Sequence, residues 1–274
     1  MKKFVLAAIL ILGIIFSMTA CGGGSDDDLT VIRVGVVGEW NDHWYTIRDE
    51  LLEEGIEIEL VRFSDFATPN RALNDGDLDV NAFQHKMFLE NEIATHGYEI
   101  EYIADTFVVP LNIFPNTDRI SSLEDIQDGH TILIPSDPTN GGRSLRVLEA
   151  AGFIVLDAEP GTHPSILDIT ERIVDIDIQE AEATLLPNLL PDVEAAVIGG
   201  INAFTAGLRP LEDSIFREDI AGADHLVNTI VVRSADLQNP ERRAIFDKIV
   251  RAHHTEAIRE TMLNDFGGAF IPVW

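Results

Sequence analysis

The order of apolar and polar positions divides the chain into short strands and helices. Residues 31–37 (VIRVGVV) are a β-branched apolar run between glycines and polar residues, the pattern of a buried strand. Residues 42–54 place Trp44, Ile47, Leu51 and Leu52 at helical spacing and stop at Gly55, a residue type that closes helices. Residues 56–63 (IEIELVRF) alternate apolar and charged, a strand with one covered face. A helix is predicted over 69–73, a turn at 74–77, an extended piece at 80–83, a helix over 86–96 and strands over 98–103 and 107–114. Further on, the pattern predicts a capped helical turn at 122–126 and strands over 131–135, 176–181, 195–198 and 227–233. Helices are predicted over 143–151, 166–171, 184–190 and 202–206, and one long helix over 240–264, opened by Pro240. Strands alternating with helices predict an α/β fold with largely parallel sheets. Two groups of strands suit two lobes around a cleft, residues 31–115 with 225–274 forming one lobe and residues 116–224 the other. Ligands of such folds sit beyond the carboxyl ends of strands, here the loops after Val37, Pro135 and Ile198.

The first twenty residues break this pattern. Lys2 and Lys3 precede a short apolar run, and Met18-Thr19-Ala20 precede Cys21, the arrangement of a secretory signal over residues 1–20. The run is shorter than the ~20 residues of a spanning helix, and no later segment approaches that length. Cys21 is the sole cysteine of the chain, so an intrachain disulfide is excluded. Residues 21–30, with Gly22-Gly23-Gly24-Ser25 and three aspartates, are expected to be a solvated tether. The formal charge of −28 sets the chain against nucleic acid and anionic headgroups as partners.

Candidate chemistry is concentrated in a few places. The loop from Pro135 through Gly141-Gly142 to Arg143 joins a strand to a helix. Glycines there let backbone approach a ligand, and Arg143 has the fork geometry for a carboxylate. The same residues also fit a surface turn with an exposed arginine. His85 follows a short apolar stretch, where a structural histidine and a ligand-contacting one look alike. Trp40, Trp44, Phe63, Phe66, Phe83 and Phe88 suit either a pocket wall or core. A metal carrier needs converging ligands, and the eight histidines are scattered. No nucleophile elbow, zinc-protease or phosphate-loop motif is present, so an enzyme is not expected, and neither is a cofactor or metal.

Several motifs together resemble one family. They are Phe63-Ser64-Asp65-Phe66, the run from Pro69 to Gly76, Asn81-Ala82-Phe83-Gln84-His85, Asp137-Pro138-Thr139-Asn140-Gly141-Gly142-Arg143, and Ile271-Pro272-Val273-Trp274. In this order they resemble the methionine-binding lipoproteins, the NlpA/MetQ family, over essentially the whole chain after the signal. The resemblance implies a two-lobed, type II periplasmic-binding-protein fold that delivers L-methionine or a related amino acid to the permease and ATPase of an ABC importer. It implies cleavage before Cys21, a lipid on its sulfur, and a place on the extracytoplasmic face of the cell membrane. It places the ligand carboxylate on Arg143 and the pocket lining on His85, Phe66, Phe88 and Asn228, with tyrosine common in the family where Phe66 and Phe88 stand. Two departures stand out. Gly199 occupies the position of a usual asparagine, with Asn202 the candidate to replace it. The first loop, with Trp40 and Trp44, also differs, and either tryptophan or an acid (Glu39, Asp42) is a candidate contact. These departures leave another amino acid or a short methionine-containing peptide as the alternative ligand.

Overall fold

The computed structural model describes residues 29–274 other than Trp40 and Pro160, so Cys21, Trp40 and the expected signal lie outside the described residues. Apolar runs become strands and amphipathic runs become helices in the following order. The chain begins with β1 (Thr30–Val37), α1 (His43–Glu53), β2 (Ile56–Phe63), α2 (Thr68–Asp75), β3 (Val80–Asn81), α3 (Lys86–His96) and β4 (Ile100–Val108). A second group follows: β5 (Leu111–Pro115), β6 (Thr131–Pro135), α4 (Pro138–Ala150), β7 (Ile154–Leu156), β8 (Ile169–Arg172), β9 (Asp177–Ala181), α5 (Leu186–Leu189), β10 (Ala195–Gly199), α6 (Gly200–Thr205) and β11 (Phe216–Arg217). The chain then returns with β12 (Val227–Arg233), α7 (Pro240–His253), α8 (Glu256–Asp265) and β13 (Ile271–Pro272).

The strands form a sheet ordered β13-β4-β12-β3-β1-β2, a sheet ordered β11-β5-β10-β6-β9, and the hairpin β7-β8. Each large sheet is the centre of one lobe of an α/β fold. Apolar side chains leave each sheet on both faces. In the second sheet Ala195, Val197, Ile132 and Ile134 join one buried cluster, whereas the alternate residues Ala196, Ile198 and Leu133 join another. In the first sheet Ile32, Val34, Val36, Ile230 and Val232 pack under α1, α7 and α8 with Trp44, Ile47, Phe246 and Ile249, while Val231 packs with Leu78 and Leu89 on the other face. Burying one such large apolar side chain contributes about 2 kcal/mol. Burial on both faces is why these strands read as unbroken apolar runs.

Six expectations change. The sheets are mixed: β1–β2 and β1–β3 are parallel, but β12 pairs antiparallel with both β3 and β4, and β5 pairs antiparallel with β10 and β11. The two strands expected over 98–114 break at Val109-Pro110, because proline offers no N–H to the ladder. β5, expected in the first lobe with residues 31–115, therefore pairs in the second sheet. Residues 166–171 form a 3₁₀ turn and then strand β8. The long helix over 240–264 is two, because the Thr255 side chain accepts from the Ile258 N–H and restarts the helix there. The helix expected from Arg143 begins at Pro138, so Asn140-Gly141-Gly142 is its first turn rather than a loop.

Candidate functional site

The loops after β1, β6 and β10 converge on a cavity of about 80 Å³ between the two sheets, with Val37, Pro135 and Gly199 in its wall. The first lobe supplies Asn41, Phe66, Ala82, Phe83, Gln84, His85, Phe88, Phe107 and Val109; Asn228 and Phe270 join from the returning chain. The second lobe supplies Leu111, Asn140, Arg143, Ala183, Leu186, Ile201 and Asn202. Among the described residues, no aspartate or glutamate lines it.

One wall is three phenylalanines. Phe66 stacks on Phe83 with centroids 6.1 Å apart, and Phe88 meets both edge-on at 6.3 and 6.1 Å. This packing leaves an apolar surface without hydroxyls.

His85 caps α3: its Nδ1 accepts from the Phe88 N–H at 3.0 Å. That bond puts the ring proton on Nε2, which donates to Asn140 Oδ1 at 3.1 Å across the cleft. Burial, and then the Arg143 charge, push the imidazole pKa well below its ordinary value, so His85 is neutral. Its backbone bridges to Asn228. Beneath it the side chains of Asn70, Asn81 and Gln84 bond to one another in a buried amide cluster, which fixes the β3–α3 connection.

Asp137 caps α4, its Oδ1 accepting from the Asn140 N–H and the Thr139 hydroxyl, each at 2.9 Å. The helix packs so closely that a Cβ at Gly141 would lie 2.8 Å from the Pro135 carbonyl oxygen, and one at Gly142 3.0 Å from His163 Cα. Arg143, a turn further in, is buried to 7 % exposure beside Glu218 at 11 %. Arg143 Nε donates to Glu218 Oε1 at 3.1 Å and Nη2 to Oε2 at 2.6 Å. Nη2 also donates to the Val109 carbonyl, and Nη1 to Asn140 Oδ1 at 3.1 Å. This excludes one alternative and corrects one expectation. Arg143 is not an exposed turn residue, and its paired N–H fork is held by Glu218. Four of its five N–H groups are engaged within the protein, and one remains. Glu218, which also accepts from the Leu111 N–H, was not foreseen. It lies 75 residues from its partner in a chain rich in acids, and nothing local marks it.

Gly199 caps α6 with φ −66°, and a Cβ there would meet only Leu111 Cδ2, at 3.6 Å. Asn202 donates to the Ala183 carbonyl at 3.1 Å. It separates this cavity from an outer one of about 430 Å³ bordered by Glu39, Arg62 and Thr184. Thr184 in turn donates to the Ser64 carbonyl across the cleft. In the first loop the candidates Glu39 and Asp42 do not line the inner cavity; Asn41, which the sequence did not single out, does. Trp44 is wholly buried in the first lobe against His43 and His253, because α1 turns its apolar face to the sheet. The described residues contain no group of three or more His, Cys, Asp or Glu side chains placed to hold a metal ion, and no helix long and apolar enough to cross a membrane.

The family model described as NlpA lipoprotein matches residues 32–274. The chain is 38% identical over 276 residues to Outer membrane lipoprotein 3 of Mannheimia haemolytica, covering 100% of both chains. It is 35% identical over 268 residues to the D-methionine-binding lipoprotein MetQ of Escherichia coli strain K12, covering 95% of each. Its structure matches a nutrient binding protein from Burkholderia cenocepacia bound to methionine with a TM-score of 0.81 at 31% identity, over 89% of this chain and 100% of the other.

Proposed function

This chain belongs to the NlpA lipoprotein family, and on that premise we propose that it is the lipid-anchored substrate-binding protein of an ABC importer, which takes methionine into its cleft and hands it to a membrane permease. It binds and releases without chemistry. The anchor is a lipid on Cys21, which holds the protein at the extracytoplasmic face of the membrane. The two lobes move about the crossings at Val109-Pro110 and near residues 218–226, and the permease receives the loaded form.

The observation that carries this reading is the composition of the cavity wall. It combines three phenylalanines, neutral amides, a neutral histidine and one arginine, with no carboxylate among the described residues. Such a wall suits a small zwitterion with an uncharged, polarizable side chain. Thioethers pack well on aromatic rings, and Phe66, Phe83 and Phe88 supply them. The remaining N–H of Arg143 takes the ligand carboxylate, and the amides of Asn41, Asn202 and Asn228 serve the polar end. The missing side chain at Gly199, where the family resemblance implies an asparagine, and the outer cavity behind Asn202 favour a second reading, a longer ligand such as a methionine-containing dipeptide.

Calorimetric titration of the purified chain, freed of ligand by unfolding and refolding, tests both. Tight one-to-one binding of D- or L-methionine is expected. Tight binding of a dipeptide with weak binding of methionine would favour the second reading. Absence of binding by every amino acid and dipeptide would overturn both.

A further inference from the structure

A cleft that binds an amino acid must accommodate an ammonium group, yet no carboxylate lines this cavity among the described residues, and the one cation in its wall is Arg143. An ammonium brought beside an unopposed guanidinium in a partly dry site would be repelled. The structure supplies an opposing charge behind the wall. Glu218, which lines a neighbouring cavity and not this one, holds Arg143 through two side-chain bonds, is itself nearly buried, and is pinned by the Leu111 N–H. Asp137, the cap of α4, bonds to Asn140 and Thr139 and not to Arg143.

We propose that Glu218 is a specificity-determining residue: by neutralising Arg143 from behind, it makes the cleft select a zwitterion over an anion of the same shape. This rests on the cleft being an amino-acid site. The arginine N–H orients the ligand carboxylate by hydrogen bonding, but the Arg143–Glu218 pair contributes no net charge. A ligand that carries both charges therefore loses little, and a ligand with only the carboxylate gains little. Selectivity is the difference between those two affinities, so a residue that touches neither ligand sets it. With Glu218 uncharged, Arg143 becomes an uncompensated buried cation that favours the anion.

The experiment compares methionine with 2-hydroxy-4-(methylthio)butanoate, which keeps the skeleton and the carboxylate but has a hydroxyl in place of the ammonium. Both are titrated into the full chain and into Glu218→Gln, with circular dichroism confirming the fold. The parent is expected to prefer methionine by at least tenfold, and Glu218→Gln to shrink that preference tenfold or more. A ratio unchanged within threefold overturns the proposal even where both affinities fall together, since a residue that only orients Arg143 weakens both ligands alike. A parent that binds both ligands equally also overturns it. A parent that binds neither ligand, nor any other amino acid, refutes the amino-acid reading itself. Should Glu218→Gln not fold, Arg143→Gln/Glu218→Gln removes both charges at once. That double variant is expected to bind more weakly and still prefer methionine, and a preference for the hydroxy acid would overturn the proposal.

Discussion

Two buried histidines in this molecule have opposite surroundings. His85, in the cleft, has both ring nitrogens bonded, one to the Phe88 N–H and one to Asn140 across the lobes. His253, at the end of α7 in the core of the first lobe, has neither nitrogen bonded. Its neighbour His43 leaves Nδ1 without a hydrogen-bond partner, and Trp44 leaves its indole N–H so. The rings instead meet edge to face, His43 and His253 at 5.6 Å and His253 and Trp274 at 5.2 Å. The cleft thus bonds its imidazole at both nitrogens and holds it in one geometry, whereas the core uses histidine as a flat apolar filler. Burial lowers the pKa of both kinds, that of His43 to about 3 and those of His85 and His253 well below the ordinary value. A buried group is therefore informative about function only through its partners.

The largest expected effect concerns acid. These histidines are neutral in the folded chain and take up protons when unfolded, so their contribution is complete above the ordinary histidine pKa. It is lost as the pH falls from about 6.5 toward the folded values. Denaturant titrations at pH 7 and pH 5 are expected to show a loss of about 2 kcal/mol from His43 alone, at up to ~1.4 kcal/mol per pH unit. Carboxylates with ordinary pKa values stay largely ionised between pH 7 and pH 5, while burial raises the pKa of Glu92. His253→Leu is expected to flatten the acid profile and leave ligand affinity unchanged. An unchanged profile would mean that His253 is not the neutral filler described. Arg143→Ala comes next, with ligand affinity expected to fall by at least ~2 kcal/mol, because it removes the proposed ligand contact and leaves Glu218 without its partner cation. Unchanged affinity in calorimetry would take Arg143 out of the site.

Smaller effects compare two glycines of the cleft. Gly141→Ala drives a Cβ against a backbone oxygen and is expected to cost about 1–3 kcal/mol in denaturant unfolding. Gly199→Asn brings its Cβ only into ordinary contact with Leu111 and keeps a favourable helix cap, so its expected change is below ~1 kcal/mol. If it also tightens methionine binding, an asparagine at this position contributes to affinity, and Asn202 does not fully replace it. Last, at pH 8, His253→Leu is expected to be neutral or stabilising by up to about 1 kcal/mol, since it removes two buried nitrogens that have no partner. His85→Leu, which loses two bonds, is expected to destabilise.

Much of the cleft could be read in the chain. Phe66, His85, Phe88, Arg143, Gly199, Asn202 and Asn228 all reach its wall, and Asn140 and Phe83 stand in the quoted motifs. Asn41, Phe107 and Phe270 were not singled out, since one is an ordinary loop residue and the others look like core. Trp44 was offered for the pocket and lies in the core, because hydrophobic spacing marks which face is covered and not what covers it. The breaks at Pro110 and Thr255 were missed although both residues carry local signals, proline in a strand and threonine as a cap. Continuous apolar patterns on either side outweighed them.

The sequence by itself determined the elements and their apolar faces, the order of the motifs, and therefore the α/β class and the loops that meet at the cleft. Those features depend on neighbours two to four residues apart, and period and capping record such distances. Only the tertiary structure decided that Glu218 holds Arg143 from behind, that His85 bonds Asn140 across the lobes, and that His43 and His253 meet in the core. Those partners are 55 to 210 residues apart. Whether a charge is paired, or an imidazole satisfied, is set by what the fold brings beside it, and no local pattern in the chain records that.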